Sequence, residues 1–282
     1  MKSDDTPPLV STQWLNDHLA SPDIRIVDAS WYLASANRDA KAEYREAHIP
    51  GAVYFDIDDI SDTSSPYPHM LPGPEKFASR VKQLGLGDGN HIIVYDGAGI
   101  FSAARVWWMF RAMGKNEVSV LDGGLPKWKS ENRPLDDLPT VTKARHFTPR
   151  PNHLIVRDAD DVRANLDSKH EQIVDARSPA RFHAQEPEPR PGVRGGHIPG
   201  AKNLYYARLL NPDGTLRKGD ALAAAFHEAG VDVAKPVVAS CGSGVTAAII
   251  LLALAVLGAR EGAIYDGSWS EWGSRPELPL AK

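Results

Sequence analysis

One cysteine in 282 residues leaves no possibility of a disulfide within the chain. Together with the absence of a secretory pattern in Met1-Lys2-Ser3-Asp4-Asp5, that scarcity implies a reducing, cytoplasmic setting. Long apolar runs are also missing. The longest, Ala247 to Leu257, is too short to cross a bilayer, which needs about 20 residues, so it reads as a buried helix. A net charge of −4 gives no broad basic surface for nucleic acid. Neither Cys-x-x-Cys nor His-Glu-x-x-His spacing occurs, so no metal site is expected.

What is present occurs twice. Ile26-Val27-Asp28-Ala29-Ser30, His48-Ile49-Pro50-Gly51-Ala52, Ile92-Ile93-Val94-Tyr95-Asp96-Gly97 and Leu121-Asp122-Gly123-Gly124 with Trp128 follow one another in the first half. The second half answers in the same order with Ile173-Val174-Asp175-Ala176-Arg177, His197-Ile198-Pro199-Gly200-Ala201, the segment around Cys241, and Tyr265-Asp266-Gly267-Ser268 with Trp272. Asp175 lies 147 residues after Asp28, His197 lies 149 after His48, and Asp266 lies 144 after Asp122. This spacing describes a duplication into two domains, each long enough to bury its own core. The expected boundaries are 1–138 for the first domain, 139–152 for the linker and 153–282 for the second domain. The stretch 132–152 is rich in Pro, Asp, Thr and Arg and lacks apolar periodicity.

Strands are expected near 24–28, 92–96, 118–121, 172–175, 236–240 and 262–265, and amphipathic helices near 74–84, 102–113, 158–167 and 220–229. Strand and helix alternate, which argues for an α/β fold with parallel sheets flanked by helices.

Duplication separates scaffold from chemistry. Features carried by both halves serve folding, so His48 and His197 are read as satisfying local hydrogen bonds beside a strand entry. Aligning Asp122 with Asp266 sets Gly97 opposite Cys241 and Asp96 opposite Ser240, and the first half has no nucleophile. Cys241 ends the apolar run Val237-Val238-Ala239-Ser240 and opens the loop Cys241-Gly242-Ser243-Gly244-Val245-Thr246, which leads into a helix. At such a turn the unpaired N–H groups and the positive end of the helix dipole stabilise a thiolate, and Gly242 and Gly244 let the backbone curl around the sulfur. Two elements have no evident copy. One is Arg181-Phe182-His183-Ala184-Gln185-Glu186-Pro187-Glu188-Pro189-Arg190, and the other runs from Asp56 through Pro68-His69-Met70-Leu71 to Gly73. On residues alone, the arginines either clamp a carboxylate or pair with Glu186 and Glu188, with Arg194 a weaker competitor. His69 either moves protons or caps a turn.

The tandem Asp-Ala and His-Ile-Pro-Gly-Ala elements and the six-residue loop 241–246 resemble the two-domain rhodanese-type sulfurtransferases, over essentially the whole chain from about Leu9 to Trp272. The neutral Gly242 and Ser243 resemble the branch that acts on 3-mercaptopyruvate; the thiosulfate branch typically carries cations there. The resemblance implies two tandem rhodanese-like domains. It further implies that Cys241 takes sulfur from 3-mercaptopyruvate as a persulfide, releases pyruvate and passes the sulfur to cyanide, a small thiol or thioredoxin.

In that scheme Arg181 and Arg190 bind the substrate carboxylate and carbonyl, and the N–H groups of Gly242, Gly244, Val245 and Thr246 cradle the outer sulfur. Ser243, His69 and Asp58 form a proton relay, with Asp56, Asp59 and Asp62 as other candidates for its carboxylate. No metal or organic cofactor is expected, and a monomer without nucleic-acid or membrane partners is. A cysteine-dependent phosphatase is disfavoured, because position 247, where its phosphate-gripping arginine would stand, is alanine. A thiosulfate sulfurtransferase and a persulfide relay or redox sensor without turnover are the other readings.

Overall fold

Near-continuous runs of Ile, Val, Leu and Ala form strands buried on both faces, as parallel sheets covered by helices require. The computed structural model describes residues 6–259 and 262–282. Met1–Asp5, on which the reading of the chain's start rests, lie outside them. The strands are β1 (Leu9–Val10), β2 (Ile24–Asp28), β3 (Ala52–Tyr54), β4 (His91–Tyr95) and β5 (Val118–Leu121), then β6 (Val156–Arg157), β7 (Gln172–Asp175), β8 (Lys202–Asn203), β9 (Val237–Ser240) and β10 (Ala263–Tyr265). They make two five-stranded sheets of identical order, β1-β5-β4-β2-β3 and β6-β10-β9-β7-β8, with every pairing parallel. The fold class is therefore α/β, with the duplication expressed in full.

The expected helices stand at Pro74–Gln83, Ala103–Ala112, Ala159–Ser168 and Gly219–Glu228. Pro74 opens the first of these, where its missing N–H costs nothing, and Phe77 and Val81 bury one stripe of it. Asp158 and Asp161 form a reciprocal capping box at the start of Ala159–Ser168. The apolar run becomes the helix Ala247–Val256, in which Ala247 to Leu254 are all buried. Among the described residues no helix is long and apolar enough to cross a membrane.

The chain divides into two compact units. The first comprises the chain through Asp62, Pro72–Asn152 and Asn211–Leu216; the second comprises Thr63–Leu71, His153–Leu210 and Arg217–Lys282. Each core is centred on a fully buried tryptophan: the Trp128 indole donates to Pro134 O in the first unit, and the Trp272 indole donates to Pro279 O in the second, each at 2.7 Å. The stretch after residue 138 packs on the first unit through Phe147, whose ring lies 5.6 Å from that of Phe77.

The histidines of the two His-Ile-Pro-Gly-Ala elements make the same kind of local contact in both units. His48 Nδ1 lies 2.7 Å from Tyr44 O and its ring stacks on Tyr44, while His197 Nδ1 lies 2.9 Å from Phe182 O and its ring stacks on Phe182.

Candidate active site

Cys241 follows the last residue of β9 and lies six residues before the helix Ala247–Val256, with Thr246 at the helix N-cap. It is buried. The turn after β10 grips the peptide on both sides of the sulfur. Cys241 N–H donates to Ser268 Oγ at 3.2 Å, and Cys241 C=O accepts from Trp269 N at 3.0 Å. One residue on, Gly242 O accepts from Ser270 N at 2.9 Å and from the Ser270 hydroxyl. A loop held at this many points presents its side chains in one geometry.

Ser243 and His69 meet in the second unit, with Ser243 Oγ and His69 Nδ1 3.0 Å apart and both residues buried. His69 reaches this place because the segment Thr63–Leu71 belongs to the second unit, anchored where Leu71 N donates to Asp266 Oδ2 at 2.6 Å. Asp58 belongs to the first unit, in the first turn of the short helix Ile57–Ile60, where its Oδ2 accepts from Trp31 Nε1 at 3.1 Å. Asp56 caps that helix through the N–H groups of Asp58 and Asp59, and Asp59 pairs with Arg80.

Arg181 sits in the short helix Pro179–Phe182, which Pro179 starts and the Ser178 hydroxyl caps. Its guanidinium lies against the nucleophile loop so closely that a Cβ on Gly242 would come 2.9 Å from Arg181 Nη2. Glycine lets the guanidinium approach this closely without having to shift. The same guanidinium pairs with Glu188, whose Oε2 accepts from Nη2 at 2.5 Å and whose Oε1 accepts from Nε at 3.4 Å. The arginine is thus paired with a glutamate while it stands at the cysteine loop. Glu188 is itself buried, bridging to Arg177 Nη1 at 2.8 Å. Arg177 is bound by Asp175 and Gly196 O and lies over the Trp269 ring at 4.5 Å. Burial works against its charge, but Asp175 and Glu188 outweigh it and hold the guanidinium above its ordinary pKa. Arg190 lines a surface groove with Glu186, Glu188 and Lys282. Arg194 is occupied by structure, its guanidinium donating to the carbonyls of Gly273, Trp272, Arg275 and Leu278.

The first unit corrects the sequence alignment. Ala29 N donates to Tyr95 O as Ala176 N donates to Ser240 O, so Tyr95 matches Ser240 and Asp96, not Gly97, occupies the position of Cys241. Leu125 N likewise donates to Asp96 O as Trp269 N does to Cys241 O. The first loop is one residue longer before its helix begins at Ala103, which is why counting back from Asp122 misplaced the match. The Asp96 carboxylate accepts from Ala98 N, Phe101 N and Ala103 N at 2.7–2.8 Å. Burial pushes its pKa up despite these bonds.

A second correction concerns the segment around His69, expected to have no copy. Leu216 N donates to Asp122 Oδ1 in the first unit as Leu71 N donates to Asp266 Oδ2 in the second, so Asn211–Leu216 is its counterpart. Sequence patterns alone assigned no role in the site to Ser268 or Asp266. A signal for Ser268 existed: the duplicated Asp122-Gly123-Gly124 returns as Asp266-Gly267-Ser268.

Residues 11–131 and 158–275 each match the profile of the rhodanese-like domain. The chain is 44% identical to the 3-mercaptopyruvate sulfurtransferase of Homo sapiens, over 95% of its own length and 93% of the relative's. It is 42% identical to the thiosulfate sulfurtransferase of Cricetulus griseus, over 94% and 91%. Among solved structures, the 3-mercaptopyruvate sulfotransferase of Escherichia coli superposes with a TM-score of 0.86 at 42% identity, covering 94% of this chain and 99% of that one.

Proposed function

This chain belongs to the rhodanese-like domain family, with two such domains in tandem, and on that premise we propose that it is a 3-mercaptopyruvate sulfurtransferase working through a Cys241 persulfide. The observation that carries this reading is the pairing of Ser243 Oγ with His69 Nδ1 at 3.0 Å, two residues from the cysteine, in a loop without a cation of its own.

The Cys241 thiolate attacks the sulfur of 3-mercaptopyruvate, a sulfur–sulfur bond forms, and the carbon–sulfur bond breaks with its electron pair going to carbon. Pyruvate leaves as the enolate and takes up a proton at that carbon. Ser243 and His69 handle the substrate thiol proton and return one to the enolate. Glu188 engages Nε and one N–H of Nη2 of Arg181, so Nη1 and the second N–H of Nη2 are left for the substrate carboxylate, and Arg190 is assigned as the second cation. Loop N–H groups from Gly242 to Thr246 hold the outer sulfur of the persulfide. A cyanide ion, a small thiol or reduced thioredoxin then attacks that sulfur and regenerates the thiolate. Two half-reactions through a covalent intermediate predict ping-pong kinetics. A cysteine that must stay free to react suits a reducing compartment.

The test is sulfur transfer to cyanide from 3-mercaptopyruvate and from thiosulfate in parallel, comparing kcat/KM. A large preference for 3-mercaptopyruvate is expected. A preference for thiosulfate overturns the substrate assignment and keeps the persulfide; turnover of neither overturns the enzymatic reading.

A further inference from the structure

Two buried residues beside Cys241 adopt a backbone conformation that suits glycine, and in both cases the first unit has glycine at the matching place. His69 has φ 61 and its counterpart is Gly214 at φ 78; Ser268 has φ 49 and its counterpart is Gly124 at φ 54. The matches follow from hydrogen bonds shared by the two units: Leu71 to Asp266 against Leu216 to Asp122, and Trp269 to Cys241 against Leu125 to Asp96. A left-handed conformation is costly for a residue with a Cβ, and such strain persists where a side chain is needed. His69 has its reason in Ser243. Ser268 has none in the mechanism above.

We infer that Ser268 is a positioning residue for the nucleophile, its hydroxyl fixing the Cys241 peptide so that the sulfur is held in attacking geometry. The inference rests on the persulfide reading. Ser268 is fully buried, and its hydroxyl is used at both ends, accepting from Cys241 N at 3.2 Å and donating to Tyr265 O at 2.9 Å. The grip on the carbonyl side, Trp269 N to Cys241 O, exists in both units and is scaffold. The side-chain grip on the N–H side belongs to the second unit, since Gly124 has no side chain to offer. Nor could the first unit accommodate one: a Cβ at Gly124 would fall 2.4 Å from Gly99 O and 2.6 Å from Asp96 O. The shorter loop after Cys241 goes with the room that Ser268 fills.

Ser268→Ala keeps the strain and loses the hydroxyl, whereas Ser268→Gly loses both. Activity should follow the hydroxyl and stability should follow the strain. Both variants are expected to lose about tenfold or more in kcat with KM little changed, the scale of one hydrogen bond removed from the transition state. Ser268→Gly should melt above Ser268→Ala. Cys241 alkylation by iodoacetamide should slow in both, a readout that needs no turnover. Wild-type kcat and alkylation rate in either variant overturn the inference, as does activity that recovers in step with Tm from alanine to glycine. Should Ser268→Ala fail to fold, Ser268→Gly carries the counterpart's own residue and still decides. If the wild-type protein turns over neither donor, the enzymatic reading has failed, and the alkylation rates alone then judge the positioning role.

Discussion

The loop after β4 and the loop after β9 are the same device put to different ends. In the first unit an aspartate stands at the strand end, and its carboxylate is satisfied from within by the N–H groups of Ala98, Phe101 and Ala103. In the second a cysteine stands there, and the chemistry is built around it. Two residues beyond the strand-end residue the first loop has Ala98 where the second has Ser243. At the anchored segments Gly214 stands against His69, and on the gripping turn Gly124 stands against Ser268. A strand-loop-helix turn binds an anion whatever its source; what makes a site of it is leaving the cradle for an anion that reacts. The sharpest test exchanges the occupants. Cys241→Asp should fold and lose sulfur transfer completely, since a carboxylate forms no persulfide. Asp96→Cys in that background should restore nothing, because the first loop has neither the serine nor the histidine. Measurable transfer in the double variant would show that the cradle alone suffices and would break the comparison.

The next effect in size belongs to the serine–histidine pair. His69→Gly and Ser243→Ala should each lower kcat for 3-mercaptopyruvate by about 10²-fold, the scale of general acid–base catalysis. His69→Gly restores the residue that the first unit uses at φ 78, so it should cost no backbone stability. Retention of wild-type kcat by both variants would remove the pair from the mechanism.

The parts legible in the sequence were those with a repeated or periodic signal. The central strands β2, β4, β5, β7, β9 and β10 declare themselves as apolar runs. The edge strands β1, β3, β6 and β8 are two or three residues long, too short for any period, and exist because a neighbouring strand offers them partners. Cys241 and Ser243 could be found because they break the symmetry of the duplication. The anchoring of His69 could not, because Leu71 and Leu216 are captured through backbone N–H groups, which every residue but proline possesses. The Arg181–Glu188–Arg177 chain was half legible: the charges were visible in sequence, but choosing between a solvated pair and a loop contact required the distance to Gly242.

The captured segments offer a comparison of middling size. Asp122→Ala and Asp266→Ala each remove a carboxylate from a backbone N–H, and each should cost about 1–3 kcal/mol of stability. Denaturant unfolding should report similar losses for the two. Only Asp266→Ala should also lower kcat, because the segment it anchors carries His69. Equal losses of kcat in both variants would mean that global loosening, not the placing of His69, sets activity.

The smallest expected effect lies at the start of the first helix of each unit. Thr12 opens the helix Thr12–Asp17 and Ala159 opens the helix Ala159–Ser168, both buried after an edge strand. The Thr12 hydroxyl donates to Glu131 Oε2 at 2.6 Å; Ala159 has nothing to donate. That hydroxyl is the largest influence on Glu131, whose pKa falls from its ordinary 4.5 to about 2, with burial opposing and Arg133 and Lys127 adding to the fall. A carboxylate whose folded pKa is depressed contributes stability that is present above its unfolded value and lost as the pH falls through the folded one. Thr12→Val keeps the shape and removes the donor. At pH 6 it should destabilise the protein by about 0.5 kcal/mol, in keeping with a carboxylate that is partly exposed to solvent. The gap from wild type should close as the pH falls from about 4.5 toward about 2, the interval over which the folded protein alone keeps Glu131 ionised. A gap that persists unchanged to the acid end would assign the effect to packing at the helix start, and the two units would then be alike at this position.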